Sequence, residues 1–443
     1  MLLRLQVTGF KNLLDVDIHF GAFTCVIGAN GVGKSNLFDA IRFLQLLAEG
    51  EQFSQALQDL RPASGRSVPP ESFFTHLGAW RAPRMTMAAD MLTASEVVDD
   101  FGNPAKAQTR VLRYEIQLGL EAGQLRLERE ELGPLKTEEA KQSLVRLGWR
   151  DHAGLLSRKR TAYLSTDGAV VSQHQEGHQG RKRRIPIAKS QRTVLGEVSD
   201  GVDFPTVHVA RREMQSWRTL SLEPSAMRSP SAYTAPSSID SVGGNVPATL
   251  YRLTRDLGHE DAVLARVGNR LHRLLPEVRA IELEDDPRTE QRTVVVRMSD
   301  NIRYPARSLS DGTLRFLVIA TMAEDPTADG VLCMEEPENG IHPDRVPAIV
   351  SLLREVGSVD ADGPLRQVVV NTHSPLVHNN VPRADRVWLQ RVTALREGAS
   401  GTVASVAVEA GTWRADAGAA LVAPGDAEKW EQMQFHYGEA AEE

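Results

Sequence analysis

The chain has 443 residues, of which 41% are hydrophobic and 25% charged, with a formal net charge of −7. That length and balance suit a globular protein of two or three domains with an ample core. No apolar run is long enough to span a bilayer, and the charge argues against a surface that coats nucleic acid everywhere, while leaving room for a local basic patch.

Leu3, Leu5 and Val7 alternate as a strand does, where an export signal would show a charged start and an unbroken apolar stretch. A cytoplasmic location is therefore expected. The apolar run Phe23-Thr24-Cys25-Val26-Ile27 leads into Gly28-Ala29-Asn30-Gly31-Val32-Gly33-Lys34-Ser35, and Asn36-Leu37-Phe38-Asp39-Ala40-Ile41 follows with Leu44 and Leu47 at helical spacing. Strand, GxxxxGKS and helix in that order form a phosphate-binding loop. Glycines let backbone N–H groups turn around a triphosphate, Lys34 reaches the β and γ phosphates, and the Ser35 hydroxyl holds Mg²⁺. Asn30, Gly31, Gly33, Lys34, Ser35 and Asn36 are thus the expected contacts for ATP. Cys25 and Cys333 both sit in apolar runs and are expected to be buried and reduced, without a role in the chemistry.

From Tyr114 to Leu127 the residues alternate about Glu121-Ala122-Gly123, a hairpin pattern, and further strands are expected within residues 161–171 and 192–209. Heptads are absent, so no long coiled coil is expected. The same region carries Arg146, Arg150, Arg158, Lys159, Arg160, Arg181-Lys182-Arg183-Arg184, Lys189 and Arg192, the most basic stretch of the chain. It suits either the phosphates of DNA or a solvated loop. His174 and His178 have a ligand-like spacing, but nothing else completes a metal site, and they read as loop residues.

Residues 221–247 are rich in Ser and Pro and read as a connection. An amphipathic helical pattern follows through Leu250, Leu253, Val263, Leu264, Val267, Leu271 and Leu274, interrupted near Gly258 and stopped by Pro276; Val294-Val295-Val296 then reads as a strand. Ser308-Leu309-Ser310-Asp311-Gly312-Thr313 is a polar turn entering an apolar helix, a place where Ser310 and Gly312 could present an anion site. Val331-Leu332-Cys333-Met334 delivers Glu335-Glu336-Pro337-Glu338-Asn339-Gly340 at its tip. Beside a phosphate-binding loop, Glu335 is placed to sit near the metal and Glu336 to orient or deprotonate the attacking water. Gln367-Val368-Val369-Val370 ends in Asn371-Thr372-His373-Ser374-Pro375, and Val387-Trp388-Leu389 reads as a last strand. The acidic tail from Asp426 carries Trp430, Phe435 and Tyr437, which suits a terminal helix or a docking segment.

These four motifs in this order resemble the ABC-type ATPase heads of the SMC, RecF and OLD group, in particular the AAA-type ATPases of bacterial defence systems such as Septu and PARIS. The resemblance covers roughly the first fifty residues and residues 303–391. It implies an α/β P-loop sheet of the SMC-head kind with flanking helices and an antiparallel β-rich insertion. It further implies that Leu309-Ser310-Asp311-Gly312-Thr313 binds ATP held by a second copy, that Glu336 is the hydrolytic base, and that His373 senses the γ-phosphate. Glu338-Asn339-Gly340 would cross the dimer seam, and Lys11, in Phe10-Lys11-Asn12, would lie near the nucleotide. Glu335 stands where many relatives have aspartate, and no glutamine near Phe73 or Trp80 matches the usual metal contact. The expected layout is residues 1–100 and 301–443 as the two parts of the head, 101–245 as the β-rich insertion and 246–300 as a helical segment with a returning strand. The function so implied is an ATP-driven, homodimeric switch controlling a separate nuclease or toxin in DNA-related defence or repair. The alternative from another class is the cytosolic engine of an ABC transporter, which the insertion and the Glu-Glu-Pro-Glu-Asn-Gly run disfavour.

Overall fold

The structure, a computed structural model, describes residues 1–60, 68–149, 155, 161–176, 181–256, 260–357, 365–396 and 399–407. The chain divides into two units, Met1–Trp217 with Asp385–Glu443, and Arg218–Ala384.

In the first unit, Leu2–Phe10 buries Leu3, Leu5 and Val7 as the alternation requires. It pairs antiparallel with Leu13–His19 on one side and Arg84–Leu92 on the other. The sheet continues antiparallel through Val111–Glu121, Gln124–Pro134, Leu164–Asp167, Val170–His174 and Lys182–Pro186. The predicted hairpin is present: Val111–Glu121 and Gln124–Pro134 turn through Ala122 and Gly123, whose φ values of 50° and 77° are those of a type I′ turn matching the twist of the strands. A second set of strands in the same unit is mixed. Phe23–Ile27 runs parallel to Arg386–Arg396, which turns back into antiparallel Ala399–Ala407. Val392, Ala394 and Val403 of these strands form a core cluster with Leu14 and Leu77.

Two expectations are corrected here. Residues 192–209 contain no strand; they hold a short 3-10 turn, Leu195–Glu197, and the start of the helix Pro205–Gln215. Val207 and Val209 mimic a strand's alternation, but Pro205 at the first helical turn presets φ and Val207, Ala210 and Met214 are buried at helical spacing. Nor is the strand around Val387 the last, because Ala399–Ala407 follows it.

Glu130 ties the β-rich region to the helix that follows the phosphate loop. It is fully buried and accepts hydrogen bonds from the N–H groups of Val194 (2.6 Å) and Leu195 (2.8 Å) and from the Tyr114 hydroxyl (3.2 Å). Burial pushes its carboxyl up to about 7, against the pull of those donors. The turn it anchors rests on the helix Lys34–Glu49, with the Thr193 hydroxyl donating to the Leu47 carbonyl at 3.2 Å.

In the second unit, Arg218–Leu220, Gly330–Glu335 and Arg366–Thr372 run parallel. Val278–Asp286, Gln291–Met298 and Arg303–Pro305 pair antiparallel, the middle strand containing the expected Val294-Val295-Val296. The amphipathic pattern resolves into helices Val246–Asp256 and Glu260–Leu274, with Leu250, Leu253, Val263, Val267 and Leu271 buried. Glu260–Leu274 packs on the helix Asp311–Glu324, where Glu324 accepts from Arg266 (2.6 Å) and Arg270 (2.8 Å). The connection at residues 221–247 includes a short helix, Pro224–Arg228. Cys25 and Cys333 are buried thiols, as expected. The acidic tail, His178 and Arg150, Arg158, Lys159 and Arg160 lie outside the described residues.

Candidate functional site

The first unit carries the phosphate loop. All five residues of Phe23–Ile27 are buried, and the helix Lys34–Glu49 starts from Gly33, which has φ 117° and supplies no side-chain cap. A side chain at Gly33 would suffer in that backbone region, and its Cβ would lie 2.6 Å from Asn12 Oδ1. Asn12 is the brace of the loop: its Nδ2 donates to the Val32 carbonyl at 2.9 Å, its Oδ1 accepts from Asn36 Nδ2 at 2.8 Å, and its carbonyl accepts from Ala404 N–H at 2.9 Å. Lys34 is buried, and its Nζ donates to the carbonyls of Gly28 (2.6 Å) and Ala29 (3.1 Å). A buried ammonium, a loop of glycines and an uncapped helix start form a cationic, donor-rich cradle, and this donor set fits a triphosphate.

Asn30 and Gly31 are exposed at the tip of the loop, and Ser35 and Asn36 are at the start of the helix, Asn36 half-buried. Lys11 has a left-handed backbone, φ 49°, and its ammonium pairs with Asp39 at 2.5 Å while lying 5.3 Å from the ring centres of Phe10 and Phe73. A direct nucleotide contact by Lys11 would compete with that ion pair. Sequence reasoning missed Asn12, Asp39 and Arg391. Asn12 stood beside Lys11 in the quoted motif, whereas Arg391 reaches the loop only through strand pairing.

The second unit carries the carboxylates. Parallel pairing sets Glu335, the last residue of Gly330–Glu335, opposite Asn371. Glu336 then leaves the strand with φ 44°, a costly conformation for a residue with a side chain. Its N–H is shared between the Asn371 carbonyl (3.1 Å) and Asn371 Oδ1 (3.2 Å). The carboxylate is aimed as well: His373 Nδ1 lies 2.8 Å from Oε1, and Asn339 Nδ2 donates to Oε2 at 2.7 Å. The Glu336 and His373 side chains remain 34% and 42% exposed, so water reaches both. Close by, a second contact joins the same two segments, the Thr372 hydroxyl donating to Glu338 Oε1. Burial pushes the Glu338 carboxyl above its ordinary range. Ser310 caps the helix Asp311–Glu324, accepting from Thr313 N–H at 3.3 Å. Gly312 lies against the loop of Glu338-Asn339-Gly340, since a Cβ there would stand 3.1 Å from the Gly340 carbonyl. Arg228 holds this turn, pairing with Asp311 and donating to the Leu309 carbonyl at 3.2 Å. Nothing in the Ser- and Pro-rich sequence singled Arg228 out.

The basic stretch is partly described. Arg146 lies in the last turn of the helix Thr137–Leu147, and Arg181-Lys182-Arg183-Arg184 are exposed on or beside the edge strand Lys182–Pro186. His174 is paired with the Ser165 hydroxyl, 3.1 Å from its Nε2.

Known proteins share the fold of this chain and a short stretch of its sequence. The structure of an SMC head bound to the C-winged helix domain of ScpA aligns over 91% of this chain and 97% of its own, with a TM-score of 0.50 and 13% identity, a likeness of fold. An SMC head with an extended coiled coil, bound to the C-terminal domain of ScpA from Pyrococcus furiosus, aligns over 91% and 96% at 12% identity and a TM-score of 0.42. The DNA replication and repair protein RecF of Bacteroides fragilis is 44% identical over 45 residues, 10% of this chain. The chain spans only 12% of the length of that curated relative. The fold is of the SMC-head kind, and it carries the phosphate-binding loop. The family described as "AAA domain, putative AbiEii toxin, Type IV TA system" matches residues 23–77 and 199–379, just over half of the chain, and the protein belongs to it. That match takes in the phosphate loop, Ser310, Glu335, Glu336 and His373, and leaves out Lys11, Asn12 and Arg391. Among the described residues, no helix is long and apolar enough to cross a membrane.

Proposed function

We propose that the protein hydrolyses ATP as a homodimeric switch and that the switch controls a separate effector, a nuclease or toxin, in DNA-related bacterial defence or repair. The observation that carries the hydrolytic part is the Glu336–His373 pair at 2.8 Å, with Glu336 held at φ 44° where a strand ends. Strain of this kind persists only where surrounding contacts over-determine it, and Asn371 and Asn339 supply them.

In this reading the loop N–H groups and Lys34 hold the triphosphate, with Asn30, Gly31, Gly33 and Asn36 shaping the cradle. Ser35 and Glu335 would hold Mg²⁺, which supplies charge neutralisation at the phosphate oxygens when bound. Glu336 accepts the proton of the attacking water on its carboxylate. His373 fixes the carboxylate's direction and senses the γ-phosphate. Ser310 and Gly312 serve the ATP held by the partner copy, and the closeness of Gly312 to Gly340 supports a shared response of that turn and the Glu338-Asn339-Gly340 loop. The effector class rests on the resemblance to defence ATPases, and the DNA-related setting on the short likeness to a DNA replication and repair protein.

Mixing Ser310→Arg subunits with Lys34→Ala subunits tests the shared site. Each variant alone is inactive, and the mixed dimer regains hydrolysis at the one site that combines an intact loop with an intact Ser310. No regained activity in a demonstrated heterodimer refutes the two-chain arrangement. DNA contact through residues 146–192 has its own test: reversing the charges of Arg181, Lys182, Arg183 and Arg184 weakens DNA binding and flattens its dependence on salt by about one unit of slope for each phosphate no longer neutralised. An unchanged salt slope removes this stretch from any nucleic-acid role.

A further inference from the structure

Arg386–Arg396 pairs in parallel with the strand before the phosphate loop, Arg386 with Cys25, Val387 with Val26 and Trp388 with Ile27. Where that partner strand gives way to the loop, Arg386–Arg396 continues alongside it. The Leu389 carbonyl would stand only 2.5 Å from a Cβ on Gly28. Arg391 Nη2 donates to the Asn30 carbonyl at 2.5 Å and would stand 2.6 Å from a Cβ on Gly31. Gly31, at φ 72°, therefore leaves the room that the guanidinium occupies.

We propose that Arg391 is a positioning residue of the nucleotide site, acting through the Asn30–Gly31 peptide. The inference rests on the reading of this loop as an ATP cradle and assigns a part to a segment outside the family match. A trans peptide is planar, with its carbonyl and N–H on opposite sides. Fixing the Asn30 carbonyl towards Arg391 fixes the Gly31 N–H on the side away from it, so the loop meets a phosphate with that donor already aimed. With the Gly28 and Ala29 carbonyls bonded to Lys34, three successive loop carbonyls are each held by a cation before ligand arrives. Pre-organisation of this kind strengthens binding by removing the cost of ordering the loop on association.

The test is ATP binding in the presence of Mg²⁺, measured by calorimetric titration of the full chain alongside thermal melting. Arg391→Ala weakens binding about tenfold, the loss expected for one charge-assisted hydrogen bond, with the melting temperature unchanged because the side chain is exposed. Arg391→Lys, which retains a cation for the carbonyl, recovers most of the affinity. Gly31→Ala costs more affinity in the wild-type chain than in Arg391→Ala, because only the former has a guanidinium to displace. Wild-type affinity in Arg391→Ala, or additive losses in the double variant, overturns the proposal. Absence of ATP binding by the wild-type chain instead overturns the nucleotide-site reading itself, so the two failures are separable.

Discussion

Replacing Glu336 with glutamine leaves ATP binding intact and slows steady-state hydrolysis by on the order of a hundredfold or more. The amide has nearly the shape of the carboxylate and leaves the backbone contacts to Asn371 unchanged, since these are made by the Glu336 N–H. What it removes is the capacity of the side chain to accept a proton. Single-turnover measurement of phosphate release, with bound nucleotide counted in the same sample, separates the two effects. Hydrolysis at the wild-type rate would remove Glu336 from its role as base.

Lys34→Ala abolishes measurable ATP binding. The Lys34 ammonium is buried inside its own loop and bonds two of its carbonyls, so the truncation removes the positive charge that the proposed site offers to the β and γ phosphates and takes this donor from the Gly28 and Ala29 carbonyls. Weakened charge attraction and a loosened loop act in the same direction. Titration with ATP and Mg²⁺ reads the effect directly, and an affinity within a few fold of wild type contradicts the assignment of this loop.

The fold class and the local motifs were legible in the sequence, whereas pairings between distant segments were not. Motifs with a fixed order of side chains, such as Gly28 to Ser35 or Asn371 to Pro375, carry their chemistry within a few residues, and reading them needs no tertiary information. The hairpin about Ala122 and Gly123 and the burial of Leu250, Val263 and Leu271 were equally local signals. Residues 192–209 misled because Val207 and Val209 satisfy both a strand's period and a buried helix face, and only the length of the buried pattern and Pro205 decide between them. Asn12, Arg228 and Arg391 were not singled out for a different reason. Each acts through a distant backbone carbonyl or side chain, on Val32, Asp311 and Asn30 respectively, and such pairings are set by strand register and helix packing.

The most direct measurement is a crystal structure of the Glu336→Gln chain with ATP and Mg²⁺ bound. The proposed mechanism predicts a triphosphate lying along Gly28 to Ser35, its γ-phosphate within hydrogen-bond reach of His373 and one water away from position 336. A nucleotide seated in the loop with His373 and position 336 both remote from the γ-phosphate would contradict it.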